Sequence, residues 1–167
     1  MLNFRNAKID DIKLYYSWAN DESVRKQSFN SKKIYFEVHQ KWFESKIQDE
    51  NCLMLIFIDT ECIEVGQVRI QKENNSEALI GISVSVEQRG KGYSIEMLKK
   101  SSDFFLQKNP NFTINAFIKE NNLTSKYTFE KAGFKFLGIE ICNIVVIQEC
   151  PTPWLFSTNI SNNLFTQ

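Results

Sequence analysis

Histidine occurs once in the 167 residues, as His39. A single imidazole excludes a histidine-rich metal site. The cysteines do not replace it, because Cys52, Cys62, Cys142 and Cys150 form no CxxC pair and no zinc spacing. No metal is expected, and the cysteines read as reduced core or surface residues of a cytoplasmic protein. Long apolar runs are also missing. The longest aliphatic-aromatic run, Leu53 to Ile58, has six residues, against about 20 for a membrane span. The amino terminus, Met1-Leu2-Asn3-Phe4-Arg5, shows no basic region followed by an apolar stretch, so no signal peptide is expected. Excess charge of one sign is absent too: 20 basic residues face 20 acidic ones. That argues against a generic polyanion binder such as a nucleic-acid-binding protein, while a local basic loop can still grip a phosphate. Three prolines and six glycines leave no obvious interdomain linker. The expectation is a single domain over residues 1–148, with residues 149–167 an unassigned tail.

What the chain does contain is a 43% hydrophobic complement with fourteen phenylalanines, enough for a sizeable core. Leu2 to Asn6 reads as a strand, and Asp10 or Asp11 as the cap of a helix ending near Trp18. Asn20-Asp21-Glu22-Ser23 interrupts, and a short helix carries Val24 and Arg25. Tyr35 to Ile47 is helical, with Phe36, Phe43 and Ile47 on one stripe and Val38 and Trp42 beside it. Cys52 to Ile58 and Ile63 to Ile70 read as strands around an Asp59-Thr60-Glu61 turn. In the next strand Ala78, Ile80, Ile82, Val84 and Val86 share a core face. Leu79, Gly81, Ser83, Ser85 and Glu87 share a partly polar face suited to lining a cleft. Helices follow at about 92–108 and 122–132, with a strand over 112–117 between them and Gly133 as the second helix's stop. Phe134 to Ile147 reads as two strands turning near Cys142-Asn143.

The segment Glu87-Gln88-Arg89-Gly90-Lys91-Gly92-Tyr93-Ser94 lies between a strand and a helix. Two glycines let backbone approach a ligand, and a helix start offers unpaired N–H groups and the positive end of a dipole. The loop is therefore either an anion site, most naturally for phosphate, with charge added by Arg89 and Lys91, or a tight turn with solvated basic residues. A second segment, Asn122-Leu-Thr-Ser125-Lys-Tyr127-Thr-Phe129-Glu-Lys-Ala-Gly133-Phe134, follows the next strand.

Together the two segments resemble the GNAT superfamily of acyl-CoA-dependent N-acetyltransferases. Arg89, Gly92 and Ser94 fall on the family's Gln/Arg-x-x-Gly-x-Gly/Ala loop, where Ser94 is a small departure. Asn122, Ser125, Phe129, Gly133 and Phe134 match its later Asn-x-x-Ala/Ser-x-x-x-Tyr/Phe-x-x-x-Gly-Phe motif. The resemblance implies an α/β (α+β) fold whose mixed, mostly antiparallel sheet splays open, flanked by helices, with acetyl-CoA as cosubstrate in the gap. The pyrophosphate is expected on the N–H groups of Arg89, Gly90, Lys91, Gly92, Tyr93 and Ser94. The pantetheine arm is expected along Ile82, Val84 and Val86, with Asn122, Ser125 and Phe129 facing the cofactor. A backbone N–H near Val84 would polarise the thioester carbonyl. Many members carry a tyrosine acid at the Phe129 position; here the ring has no proton to give, and Tyr127 lies two residues away on another helix face. Glu87 and His39 are the candidate bases; the alternatives are a solvated strand-end carboxylate for Glu87 and, since His39 shares the helix stripe with Phe36 and Phe43, a packed, hydrogen-bonded core histidine.

For the acceptor, Asn20-Asp21…Arg25, Ser28-Phe29-Asn30, His39…Trp42-Phe43 and Gly66…Arg69 resemble the GNAT branch that acetylates nucleotide-linked amino sugars, of the pseudaminic and legionaminic acid pathway type. On that reading Arg25 meets a diphosphate, Phe29 or Trp42 stacks on a base or sugar, Asn20 and Asn30 hold hydroxyls, and Ser85 lines the site; the alternative is that Trp18, Trp42 and Phe43 are core and that Arg25 and Asn20 form a helix-turn contact. The alternatives are an amino-terminal acetyltransferase of proteins and a non-catalytic acyl-CoA-binding module. A homodimer is among the expected assemblies.

Overall fold

The computed structural model describes residues 1–139 and 153–158. Strands β1 (Asn3–Asn6), β2 (Cys52–Ile58), β3 (Glu64–Lys72), β4 (Glu77–Val84), β5 (Thr113–Lys119), β6 (Lys135–Ile139) and β7 (Pro153–Thr158) form one sheet in the order β1-β2-β3-β4-β5-β7-β6. Helices α1 (Ile12–Ala19), α2 (Glu22–Gln27), α3 (Phe36–Ile47), α4 (Tyr93–Lys108) and α5 (Leu123–Ala132) flank it. Every neighbouring pair of strands is antiparallel except β4 and β5, which run parallel.

The apolar run in β2 explains the layering. Its side chains alternate between the two faces of the sheet, and both faces are covered, so no polar alternation survives. Leu55 and Phe57 join a core with Met97, Leu98 and Phe105 of α4 and Phe129 of α5. Met54 and Ile56 join a second core with Tyr15 and Trp18 of α1 and Phe43 of α3. In α3 the inward stripe follows the expected spacing, with Phe43 buried, Ile47 packed against the core and Phe36 half-buried. His39 and Phe43 are its buried residues, one turn apart, while Val38 and Trp42 look outward. The amino terminus is pinned to α4: the Leu2 N–H donates to Glu96 Oε1 at 2.8 Å and the Leu2 carbonyl accepts from Lys100.

The β4–β5 pair gives the sheet its shape. Only Glu77, Ala78 and Leu79 pair with Thr113, Ile114 and Asn115; beyond them the two strands diverge. On its other side β4 stays paired with β3 up to Gly66↔Val84, and the Ser85 N–H still donates to Val65 O at 2.8 Å. The chain then turns through a 3-10 segment, Val86–Gln88, closed by the Gln88 N–H on Ser85 O. The strand therefore ends two residues earlier than its alternation suggests. Val86, expected on the core face, is rotated into solvent at 56% exposure.

The carboxy-terminal segment also departs from expectation. Residues 153–158, in the unassigned tail, supply a strand inserted between β5 and β6. The expected turn near Cys142-Asn143 and the strand following it lie outside the described residues.

Gly66 sits where β3, β4 and α4 come together. A Cβ there would lie 2.3 Å from Ser83 O, 2.9 Å from Val84 Cα and 3.1 Å from Met97 Cε. Two of those neighbours are backbone, so Gly66→Ala must push β3 and β4 apart. The expected cost is about 1–3 kcal/mol, or about 2–4 °C in Tm per kcal/mol for a chain of this size. A thermal melt that matches wild type would show that the strands yield without strain.

Candidate active site

On the side facing α4, the loop after β4 is built for an anion. Gly90 (φ 75°) and Gly92 (φ 76°) both take left-handed backbone, which glycine adopts without strain. A Cβ at either would meet nothing within 4 Å. Gly92 is the N-cap of α4, and no side-chain oxygen caps that helix. The first N–H groups of a sixteen-residue helix are thus left for a ligand at the positive end of its dipole. These features fit a pyrophosphate on the backbone of Arg89 to Ser94.

The β4 edge beside this loop is also open. In an antiparallel ladder, alternate residues direct both backbone groups to the same neighbour. Ser85 donates to β3, so Val84 and Ile82 direct theirs toward the gap where β5 has diverged. The Val84 carbonyl accepts from Arg89 Nε at 3.1 Å, and the N–H groups of Ile82 and Val84 are the donors directed to that edge. This is the arrangement a pantetheine amide and a thioester carbonyl need.

Two charges expected to strengthen the loop point elsewhere. The Arg89 guanidinium turns away from α4 and donates to Asp21 Oδ1 at 2.8 Å and to Ser23 Oγ at 2.6 Å. Lys91 Nζ donates to Gln88 Oε1 at 2.7 Å. What the loop offers an anion is therefore backbone N–H groups and the helix dipole. In the later motif, the Asn122 side-chain oxygen accepts from the Ser125 N–H at 3.1 Å, capping α5. Phe129 is buried at 4% exposure, its ring 4.9 Å from that of Phe134, so its place is the core. Tyr127 is 58% exposed on α5, with Lys131 Nζ 5.4 Å from its ring centroid.

On the opposite side of the sheet, a cleft of about 530 Å³ opens between α1, the α1–α2 turn, the start of β3 and the 3-10 turn after β4. Leu14, Ser17, Trp18, Asn20, Asp21, Ile63, Glu64, Ser85, Val86, Glu87, Gln88 and Arg89 line it. Ser85, buried on the strand's polar face, donates its hydroxyl to Glu87. That bond is the main cause holding the Glu87 carboxyl below its ordinary range. The hydroxyl of Ser23, then the guanidinium of Arg89, hold Asp21 down to about 2. Both carboxylates are therefore ionised at neutral pH. Asp21 and Gln88 stand inside quoted motifs without an assigned role, and Glu64 and Leu14 are not singled out by the sequence, because only the chain reversal after β4 brings these residues together.

Several predicted acceptor residues are engaged elsewhere. His39 is 2% exposed, lies in the α1–α3 core against Tyr16, Trp42 and Phe43, and bonds the Ile12 backbone. Burial pushes its pKa down, and it does not line the cleft, so of the two readings its position corrects the base and matches the packed core histidine. Asn20 touches the cleft, yet its amide clamps Ile34, donating to the carbonyl at 3.1 Å and accepting from the N–H at 2.8 Å. It holds the segment before α3 rather than a hydroxyl. Arg25 donates to Asn30 O at 2.7 Å, and Asn30 Oδ1 accepts from the Lys32 N–H. Trp42 carries Arg69 at 5.6 Å from its ring centroid. Arg25, Phe29, Asn30 and Trp42 are not among the cleft's lining residues.

The loop assignment has a direct check. Gly92→Val places a branched side chain at φ 76°, a conformation costly for β-branched residues, and directs it into the space proposed for the pyrophosphate. Calorimetric titration with acetyl-CoA is expected to show at least tenfold weaker binding in a variant whose circular dichroism matches wild type. Undiminished affinity would place the pyrophosphate elsewhere.

Comparison with known proteins agrees with this geometry. No protein of curated function matches the sequence. Among solved structures, spermidine N-acetyltransferase from Vibrio cholerae, in complex with CoA and spermine, superposes with TM-score 0.82 at 16% identity, covering 94% of each chain. Aminoglycoside acetyltransferase AAC(6')-Ib, in complex with coenzyme A and kanamycin, gives TM-score 0.77 at 16% identity, over 96% of this chain and 95% of that one. A domain from Methanocaldococcus jannaschii gives 0.78 at 22% identity, over 96% and 99%. The family model of the acetyltransferase (GNAT) domain matches residues 1–135. The chain belongs to the GNAT family of acetyltransferases, enzymes that take their acetyl group from acetyl-CoA.

Proposed function

We propose that this acetyltransferase acetylates a cationic amine held in the cleft on the α1 face, beside Ser85 and Glu87. The observation that carries this reading is the charge of the cleft. Its lining carries Asp21, Glu64 and Glu87 against one cation, Arg89, which is paired with Asp21. Arg5 reaches Glu64 from outside at 3.9 Å. An ammonium entering this cleft is attracted, whereas a diphosphate is repelled. The structural neighbours crystallised with spermine and kanamycin support the same class of acceptor.

The chemistry asks little of side chains. The ammonium sheds a proton to water beside Glu87, whose low pKa suits it to orienting the amine more than to strong basic catalysis. The amine nitrogen attacks the thioester carbon, with the Val84 N–H facing the developing oxyanion. The tetrahedral intermediate then collapses, the C–S bond breaks, CoA leaves as thiolate, and the nitrogen gives up its second proton. Holding both reactants across one strand supplies much of the rate through proximity.

A nucleotide-linked amino sugar is the second reading, and one observation favours it. Arg25 has no ion pair among the described residues, its buried Nε lacks a partner, and burial pushes its pKa down. A guanidinium in that state gains from a phosphate. Turnover assays with acetyl-CoA, following thiol release, separate the readings when spermine, kanamycin, a UDP-linked amino sugar and a peptide with a free amino terminus are compared. The polycations are expected to turn over with kcat/KM falling as salt rises. Turnover of the UDP sugar alone, with KM raised by Arg25→Ala, would overturn the cationic reading, and turnover of the peptide alone would make the protein an amino-terminal acetyltransferase.

Two variants test the roles assigned to side chains. Glu87→Gln removes a charged partner of the amine, and kcat/KM is expected to fall about ten- to hundredfold, the size of one lost charge-assisted hydrogen bond. Tyr127→Phe is expected to cost less than about tenfold in kcat, under about 1.4 kcal/mol, because the exposed hydroxyl lies on α5 and does not line the cleft. A hundredfold loss with the fold intact would make Tyr127 the acid.

A further inference from the structure

Helix α2 is only six residues long and buries none of them. A helix of that length is not stable through its own hydrogen bonds, and hydrophobic packing does not fix its place. Polar ties do, and they attach its two ends to different strands. At the amino end, Asp21 caps the helix, accepting from the Val24 N–H at 3.1 Å. The same oxygen accepts from Arg89, whose Nε bonds Val84 O at the end of β4. At the carboxy end, Lys119 Nζ, on the last residue of β5, donates to Lys26 O at 3.0 Å. Thus α2 is tied at one end to β4 and at the other to β5, the two strands that diverge.

We infer that Asp21 is a positioning residue for the acceptor: acting through Arg89, it holds α2 against the end of β4 and so sets the width of the cleft in which the amine meets the thioester. This rests on the reading of the cleft as the amine site. Arg89 is the natural hub, because its planar fork engages three acceptors at once: a carboxylate, a hydroxyl and a strand carbonyl. With all three engaged, it acts on geometry and leaves the pyrophosphate to the loop backbone.

The experiment compares Asp21→Ser, which keeps a side-chain oxygen to cap α2, with Arg89→Met, which keeps the apolar stem, and with the double variant. Acceptor KM is measured with whichever amine the wild type turns over, alongside acetyl-CoA KM and kcat. Hydrogen exchange of α2 reports the tie in the protein alone, whatever the acceptor. Each single variant is expected to raise acceptor KM about five- to tenfold, with kcat and acetyl-CoA KM within about twofold. The double variant is expected to be no worse than either, since both remove one interaction. Exchange is expected to quicken in residues 24–27 and not in α4. Asp21→Asn, which can cap and still accept from Arg89, should fall between wild type and Asp21→Ser, and it serves if the other variants fail to fold.

Three results would overturn the inference. If Arg89→Met lowers acceptor KM while Asp21→Ser raises it, Asp21 touches the amine directly. A rise in acetyl-CoA KM confined to Arg89→Met would assign the guanidinium to the pyrophosphate. Unchanged acceptor KM and unchanged α2 exchange in both variants would show that the tie does nothing. Failure of polycations to turn over in the wild type refutes the cationic reading alone, since another acceptor then carries the kinetics.

Discussion

The parallel pairing of β4 with β5 stops after Leu79↔Asn115, and the site depends on that interruption. Had the ladder continued, the backbone groups of Ile82 and Val84 would be satisfied by β5 and nothing could insert. Because it stops, the end of β4 keeps one strand edge bonded to β3 and one edge free. An open edge inside a sheet is costly unless a ligand or side chain meets it. Here Arg89 meets the Val84 carbonyl, and the N–H donors face the gap. The same divergence brings the amino terminus of α4, with its two left-handed glycines, to the mouth of the opening.

The two faces of the sheet divide the labour. The α4 face offers backbone N–H groups and a helix dipole, a positive environment that suits phosphate. The α1 face offers carboxylates and a buried serine, a negative one that suits an ammonium. Strand β4 separates them, and on the proposed reading donor and acceptor of the acetyl group approach it from opposite sides with opposite charge. Little net charge is needed for this, which is why a chain with equal numbers of acidic and basic residues can still sort an anion from a cation locally. Arg89 leaves the positive side and neutralises Asp21 on the negative side, so what the loop offers an anion is backbone N–H groups and the helix dipole.

The local grammar of the chain determined a good deal by itself. Apolar periodicity placed nearly all the helices and strands to within a residue or two. Glycine chemistry marked Gly133 as a left-handed helix stop, which it is, and it marked Gly90 and Gly92 as points of close backbone approach, both of which take left-handed backbone. Two motifs in order identified the family. The tertiary structure alone decided what each polar side chain does. His39, Asn20, Arg25 and Arg89 look alike in sequence, as polar residues beside aromatic or turn residues. One became a core imidazole, one a clamp on Ile34, one a loop anchor on Asn30 and one a bridge to Asp21. Their partners lie from 3 to 68 residues away. Alternation along the strand pointed Ser85 and Glu87 at a cleft, but its acidic character was not legible, because Asp21, Glu64 and Glu87 become neighbours only when β3 and β4 pair and the chain turns at Val86–Gln88. Periodicity is a property of neighbours along the chain, so it can be read from sequence. Which partner a side chain meets is set by the pairing of distant strands, and only the fold decides that.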